Sequence, residues 1–298
     1  MNEEKLLNRA LAVLEAQGIN ETYVLLLAEK DTVTTPGSQL YNFLTCLAAL
    51  CGKADDALCY LEQAILQKGM WYRPEVFADE DLALIAAHSR FAHCRAVSQQ
   101  RYYAAAQSAA TVCTWAQKTA PKLALALHGN QQNIALCRQN WAVLAPFGYQ
   151  TEYVQSRTVD SFGIYRWEDG DTPQLPAAVQ AISAEYEEYL LCGFSAGAGE
   201  ILRSLCAAEF ACERLIVCSP WLAEAEMQAN EIAAALHRRG TRVCLVCGSA
   251  DSDCLPIANA LSQAFMQHGV PCKAEIITGL AHEMEPQLPQ ILQRFFTA

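Results

Sequence analysis

Glu188-Tyr189-Leu190-Leu191-Cys192-Gly193-Phe194-Ser195-Ala196-Gly197-Ala198-Gly199-Glu200 is the stretch whose reading decides the fold. It begins as an apolar run of strand length and passes through Gly193-x-Ser195-x-Gly197. Ile201, Leu202 and Leu205 then follow at helical spacing. The pattern predicts a strand, a sharp turn and a helix. A serine at such a turn sits in strained backbone geometry, and glycines two before and two after it leave room for the crowded chain. Its hydroxyl then points out of the sheet. The N–H of Ala196 opens the helix, where a developing oxyanion needs a donor. Gly-x-Ser-x-Gly alone is a weak signal, and the strand and helix on either side give it weight.

Three further segments of strand length end in residues of matching chemistry. Leu123-Ala124-Leu125-Ala126-Leu127 empties into His128-Gly129-Asn130. Arg242-Val243-Cys244-Leu245-Val246-Cys247-Gly248 empties into Ser249-Ala250-Asp251-Ser252-Asp253, and Ala274-Glu275-Ile276-Ile277 leads through Thr278-Gly279-Leu280-Ala281 to His282. Together with the turn at Ser195, these segments resemble the α/β-hydrolase family, and more narrowly its phospholipase/carboxylesterase group. The resemblance covers about Pro121 to Ala298, roughly three fifths of the chain. It implies a triad of Ser195, Asp251 and His282 in that chain order. It also implies an oxyanion hole made by the N–H groups of Ala196 and Asn130, with Gln131 as the alternative to Asn130. Gly248-x-x-Asp251 has the spacing the family uses for its acid, and Asp253 is the runner-up. No metal or organic cofactor is implied.

Composition narrows the remaining classes. With 52 % apolar and 18 % charged residues, the 298-residue chain reads as a compact globule with sizeable cores and not as a disordered one. A formal net charge of −11 and the lack of a basic patch argue against nucleic-acid or anionic-membrane partners. No apolar run approaches the roughly 18 residues of a spanning helix. Met1-Asn2-Glu3-Glu4-Lys5 is not the start of a secretory signal, so the expected location is cytoplasmic. The fourteen cysteines accordingly read as reduced thiols. Cys244-x-x-Cys247 lies inside an apolar run and reads as two small hydrophobes, not as half a metal site.

Upstream of Pro121 the pattern is helical. Leu6, Leu7, Ala10, Leu11, Val13 and Leu14 recur at helical spacing up to Gln17-Gly18. From Leu40 to Gly69 two helices meet at Cys51-Gly52-Lys53. Tyr41, Leu44, Thr45, Ala48, Ala57, Leu61 and Ala64 stand where a tetratricopeptide unit wants its packing residues, so this stretch resembles one such repeat. Phe77 to Ile85 could open another, without a full second copy. A polar helix is predicted from Arg90 to Lys118, and Thr119-Ala120-Pro121 marks the boundary.

The expected domains are therefore 1–118, an all-α tetratricopeptide-like domain, and 121–298, an α/β domain. In the second, a compact parallel sheet of about six strands alternates with helices, among them Thr172–Glu187 and Ala196–Ala208. His88 and His93, five apart, do not share a helix face, and His237 and His268 suit helix ends. Ser156, Trp167, Glu168 and Asp169 follow the strand near Tyr149 and read either as pocket lining or as an exposed loop.

The expected activity is a serine hydrolase acting on a small-molecule ester or thioester. Two alternatives remain: a peptidase with the same triad, and a helical interaction protein whose hydrolase fold is idle. The N-terminal helices could bind a protein or peptide, or could pack over the mouth of the site.

Overall fold

The computed structural model describes residues 2–114, 116–168, 175, 186–207, 212–223 and 225–297. Asp169 and most of the helix expected from Thr172 to Glu187 lie outside them. The chain divides into two compact units. One comprises Met1–Ala109 with Val159–Ile164, the other Ala110–Thr158 with Tyr165–Ala298. No helix among the described residues is long and apolar enough to cross a membrane.

The first unit is helical. Helix α1 (Glu3–Gln17) starts at Asn2, whose side chain accepts the N–H of Glu4, and stops at Gly18, whose φ of 95° suits only glycine. Helix α2 (Ile19–Glu29) follows, then α3 (Ser38–Leu50) and α4 (Ala54–Glu62), which meet at Cys51-Gly52-Lys53. Helix α5 (Ser89–Ser108) completes the set. Leu6, Leu26, Leu44, Leu58, Ile65, Leu82 and Phe91 meet in one core. Pro74–Ala78 and Glu80–Leu82 are short 3₁₀ turns, not the opening of another repeat. The Asp79 carboxylate accepts the N–H of Asp81 and so supplies the start of a turn too short to continue as a helix.

The α5 helix ends ten residues short of the expected Lys118. Its Ser108 hydroxyl folds back onto the carbonyls of Ala104 and Ala105, and the chain then extends into β1 (Val112–Cys113). A two-residue strand leaves no periodicity for the sequence to display. It pairs antiparallel with β3 (Tyr149–Gln155).

The second unit is built on a sheet ordered β1-β3-β2-β6-β7-β8-β9. Its remaining strands are β2 (Lys122–Leu127), β6 (Glu188–Phe194), β7 (Arg214–Cys218), β8 (Arg242–Gly248) and β9 (Cys272–Ile277). All neighbours from β3 to β9 are parallel. Leu123, Leu125, Leu191, Leu215, Val217, Val243 and Leu245 turn to one face, against α7 (Ala196–Ala207), α8 (Ala225–Arg239) and α9 (Leu255–Gln267). Ala124, Ala126, Leu190, Cys192, Ile216 and Val246 turn to the other, against α6 (Ile134–Trp141) and α10 (Leu288–Thr297). With both faces covered, the inner strands β2, β6, β7 and β8 read as near-continuous apolar runs. Cys244 and Cys247 lie on opposite faces, both buried and free, as small hydrophobes would.

A hairpin of β4 (Thr158–Ser161) and β5 (Ile164–Arg166), turning at Phe162-Gly163, follows β3. From β2 the chain steps outward to β3 and then returns past β2 to β6. The direction of winding therefore reverses between β2 and β6. In open parallel sheets the crevice at the carboxyl ends of two such strands is where ligands bind.

Candidate active site

Ser195 stands at the carboxyl end of β6 with φ of 53°. Its N–H donates to the carbonyl of Cys218 at 2.9 Å, and its own carbonyl accepts from Gly199 (3.2 Å) and Trp221 (3.1 Å). Three backbone bonds thus hold a conformation that a residue with a Cβ avoids. Among the described residues the other non-glycine positive φ values belong to Gln131 (59°) and Ser219 (43°), both in the loops around the same strand ends. Gly197 has to lack a side chain, because a Cβ there would lie 2.2 Å from the carbonyl oxygen of His128.

The three residues expected to act together meet here. His282 Nε2 lies 3.0 Å from Ser195 Oγ, and His282 Nδ1 lies 2.8 Å from Asp251 Oδ2. These partners fix the tautomer. Nδ1–H donates to the carboxylate, and Nε2 accepts the serine hydroxyl. The imidazole rests against Phe194, with ring centroids 4.9 Å apart, and its side chain is 43 % exposed. At Gly248 a Cβ would lie 2.0 Å from the carbonyl oxygen of Leu280, so glycine at the end of β8 lets the loop carrying His282 close on the turn carrying Asp251.

Asp251 is buried. Desolvation pushes its carboxyl up, but hydrogen bonds from His282, from the Ser219 hydroxyl and from the Cys254 N–H outweigh that push. Together with the attraction of His282 they hold it below the usual carboxylate range. Asp253 is exposed and makes no hydrogen bond to His282 among the described residues.

The loop after β2 faces Ser195. His128 is fully buried, with Nδ1 2.6 Å from the Gly129 carbonyl and Nε2 accepting from Ser156 N–H at 3.2 Å. Burial pulls its pKa from 6.5 down to about 4, so the ring stays neutral and structural. Gln132 Oε1 accepts the Gly129 N–H at 2.9 Å. Gln131 donates its N–H to the Tyr165 carbonyl at 2.8 Å and cannot serve as a free donor. The backbone N–H groups of Asn130 and Ala196 carry no hydrogen bond to another described residue.

Trp167, expected as pocket lining or open loop, is buried, which removes the open-loop reading. Its Nε1–H donates to His128 O (2.7 Å), its backbone N–H to Asn130 Oδ1 (2.8 Å), and its ring lies 5.0 Å from the His128 ring. Ser156 is buried, bonded through its hydroxyl to the Arg166 carbonyl, while exposed Glu168 pairs with Arg166. Ser219 and Cys254 are site residues without a local sequence signal, since each is recruited by a contact across the fold.

Residues 2–106 match the protein-family model described as A/B hydrolase-like, N-terminal domain. The whole chain aligns with a solved structure of an uncharacterized protein from Bacillus cereus ATCC 10987 at 25 % identity and a TM-score of 0.56, covering 100 % of this chain and 98 % of that one. Esterase PE8 aligns at 17 % identity and TM-score 0.51, over 64 % of this chain and 97 % of its own. A carboxylesterase from Mesorhizobium loti aligns at 17 % identity and TM-score 0.50, over 61 % and 90 %. The fold is that of the α/β hydrolases. No curated protein matches the sequence. The family match covers the helices that precede the sheet.

Proposed function

We propose that this α/β-hydrolase-fold protein is a serine hydrolase that cleaves a carboxylic ester or thioester through an acyl-enzyme. The observation that carries the reading is the relay of 3.0 Å from Ser195 Oγ to His282 Nε2 and 2.8 Å from His282 Nδ1 to Asp251, mounted on a strained strand-to-helix turn. Ser195 attacks the acyl carbon while His282 Nε2 takes its proton. Asp251, held ionised by its three donors, stabilises the imidazolium that forms. The oxyanion is received by the N–H groups of Ala196 and Asn130. The imidazolium then gives its proton to the departing alkoxide or thiolate, and water enters by the reverse path to release the acid.

An ester is favoured over a peptide by the two esterases of the same fold. A panel of p-nitrophenyl esters of increasing acyl length, with matching thioesters, tests the reading. Wild type is expected to turn over at least the short members, and Ser195→Ala to lose several orders of magnitude in kcat with its fold intact. Equal turnover by the alanine variant would move the chemistry elsewhere.

A further inference from the structure

A third donor stands beside the relay. Cys254 Sγ lies 3.6 Å from His282 Nδ1, the same nitrogen that meets Asp251 Oδ2 at 2.8 Å. One atom each of Asp251, Cys254 and His282 fall within 4.8 Å of one another, and among the described residues no other trio of His, Cys, Asp and Glu does so. A tetrahedral zinc ion, with bonds of about 2.3 Å to sulfur and about 2.0–2.1 Å to nitrogen or oxygen, sets S and N roughly 3.5 Å apart and N and O roughly 3.3 Å apart. The first separation already exists. The second requires His282 Nδ1 and the carboxylate oxygen to part by about half an ångström, and the sulfur lies within 4.8 Å of the carboxylate.

The scaffold is prepared on the other side as well. The Cys254 N–H donates to Asp251 Oδ1 at 3.1 Å, so one turn before α9 carries two of the donors in fixed relation. His282 is half-exposed, while the other two donors are buried. A mixed thiolate, imidazole and carboxylate set suits zinc and cobalt, and does not suit magnesium or calcium.

We propose that the Asp251 carboxylate, Cys254 Sγ and His282 Nδ1 form an inhibitory site for zinc or another thiophilic divalent cation, with water completing the tetrahedron. On binding, the thiol proton leaves to solvent and the sulfur–zinc bond forms. The metal takes the Nδ1 lone pair, so the ring proton moves to Nε2, where it faces Ser195 Oγ. A protonated Nε2 cannot accept the serine proton, and the base is switched off. The inhibition clause rests on the proposed hydrolase reading, whereas the binding clause does not.

The test is a titration of chelator-treated protein with Co²⁺ alone and then with Zn²⁺. The expected result is a thiolate-to-cobalt charge-transfer band that zinc removes. The band should be present in Ser195→Ala and absent in Cys254→Ser and Cys254→Val. In parallel, zinc should slow labelling of the wild type by a fluorophosphonate probe. Each Cys254 variant, measured against its own metal-free rate, should need at least about tenfold more zinc for half inhibition. A band that persists in both Cys254 variants assigns the metal to another of the fourteen cysteines and overturns the proposal. Equal zinc sensitivity of wild type and both variants overturns it too. A Cys254-dependent band in a protein that no probe labels supports the metal site and removes the hydrolase reading, so the two failures are separable.

Discussion

Asp251 and Asp253 stand two positions apart on one turn, and their surroundings separate them. Asp251 is buried and takes hydrogen bonds from His282, Ser219 and Cys254, while Asp253 lies in solvent. Asp251→Asn is expected to cut kcat severely, on the order of 10⁴ by analogy with the serine-protease triad, because the amide can turn its NH₂ toward Nδ1 and hold the imidazole in the wrong tautomer. Asp253→Asn should stay near wild type, and the reverse ranking in ester hydrolysis would reassign the acid. His128 makes a different claim, about stability. Its folded pKa is about 4 because burial disfavours the charged ring, against an ordinary value of 6.5. The unfolded chain therefore binds a proton between those values that the folded chain does not. Its contribution to stability is full above pH 6.5 and falls as pH drops toward 4, by roughly 3 kcal/mol in all. Urea midpoints measured across that window should fall less steeply in His128→Gln, and an unchanged slope would contradict the assignment.

At the scale of elements, the loop after β2 and the turn after β6 are fitted to each other, and Trp167 clamps the loop by two hydrogen bonds and a ring contact. Trp167→Phe keeps an aromatic ring beside His128 and deletes the bond from Nε1 to the His128 carbonyl. A loosened Asn130 N–H should then lower kcat between roughly tenfold and 10²-fold with KM little changed. A change confined to KM would make Trp167 a substrate contact instead. The same elements show what a sequence can carry. Ser195, Asp251 and His282 were legible because each follows a strand end in an order that only this sheet explains, and β6, β7 and β8 read clearly because burial on both faces leaves them unbroken. Helix α6 buries little beyond Cys137 and Trp141, and β1, β4 and β5 are two to four residues long, so none writes a period into the chain. Trp167 meets His128 across 39 residues and Cys254 meets His282 across 28. Contacts at that range leave no local trace.

Across the whole molecule, the helical unit is not one continuous stretch, because Val159–Ile164 belongs to it. Ser161 Oγ meets Ser38 Oγ at 3.0 Å, Asp160 pairs with Arg73 at 3.2 Å, and Phe162 donates its N–H to the Trp71 carbonyl at 2.9 Å. The two units therefore interleave in sequence, and a cut at any single position from 110 to 158 leaves the helical unit without its hairpin tip. The molecule also carries fourteen thiols that could compete with a serine for an electrophile. Burial pushes those of Cys192, Cys218 and Cys244 up, so they stay protonated and unreactive at neutral pH. Ser195 Oγ is the oxygen that the His282 relay activates, and so the one a phosphorylating probe should find. The most direct measurement is treatment of the full chain with a fluorophosphonate, followed by mass mapping of the adduct. The account predicts a single modification on Ser195, abolished in Ser195→Ala and strongly slowed in Asp251→Asn. An adduct on another residue, or labelling of Ser195→Ala at the wild-type rate, would contradict it.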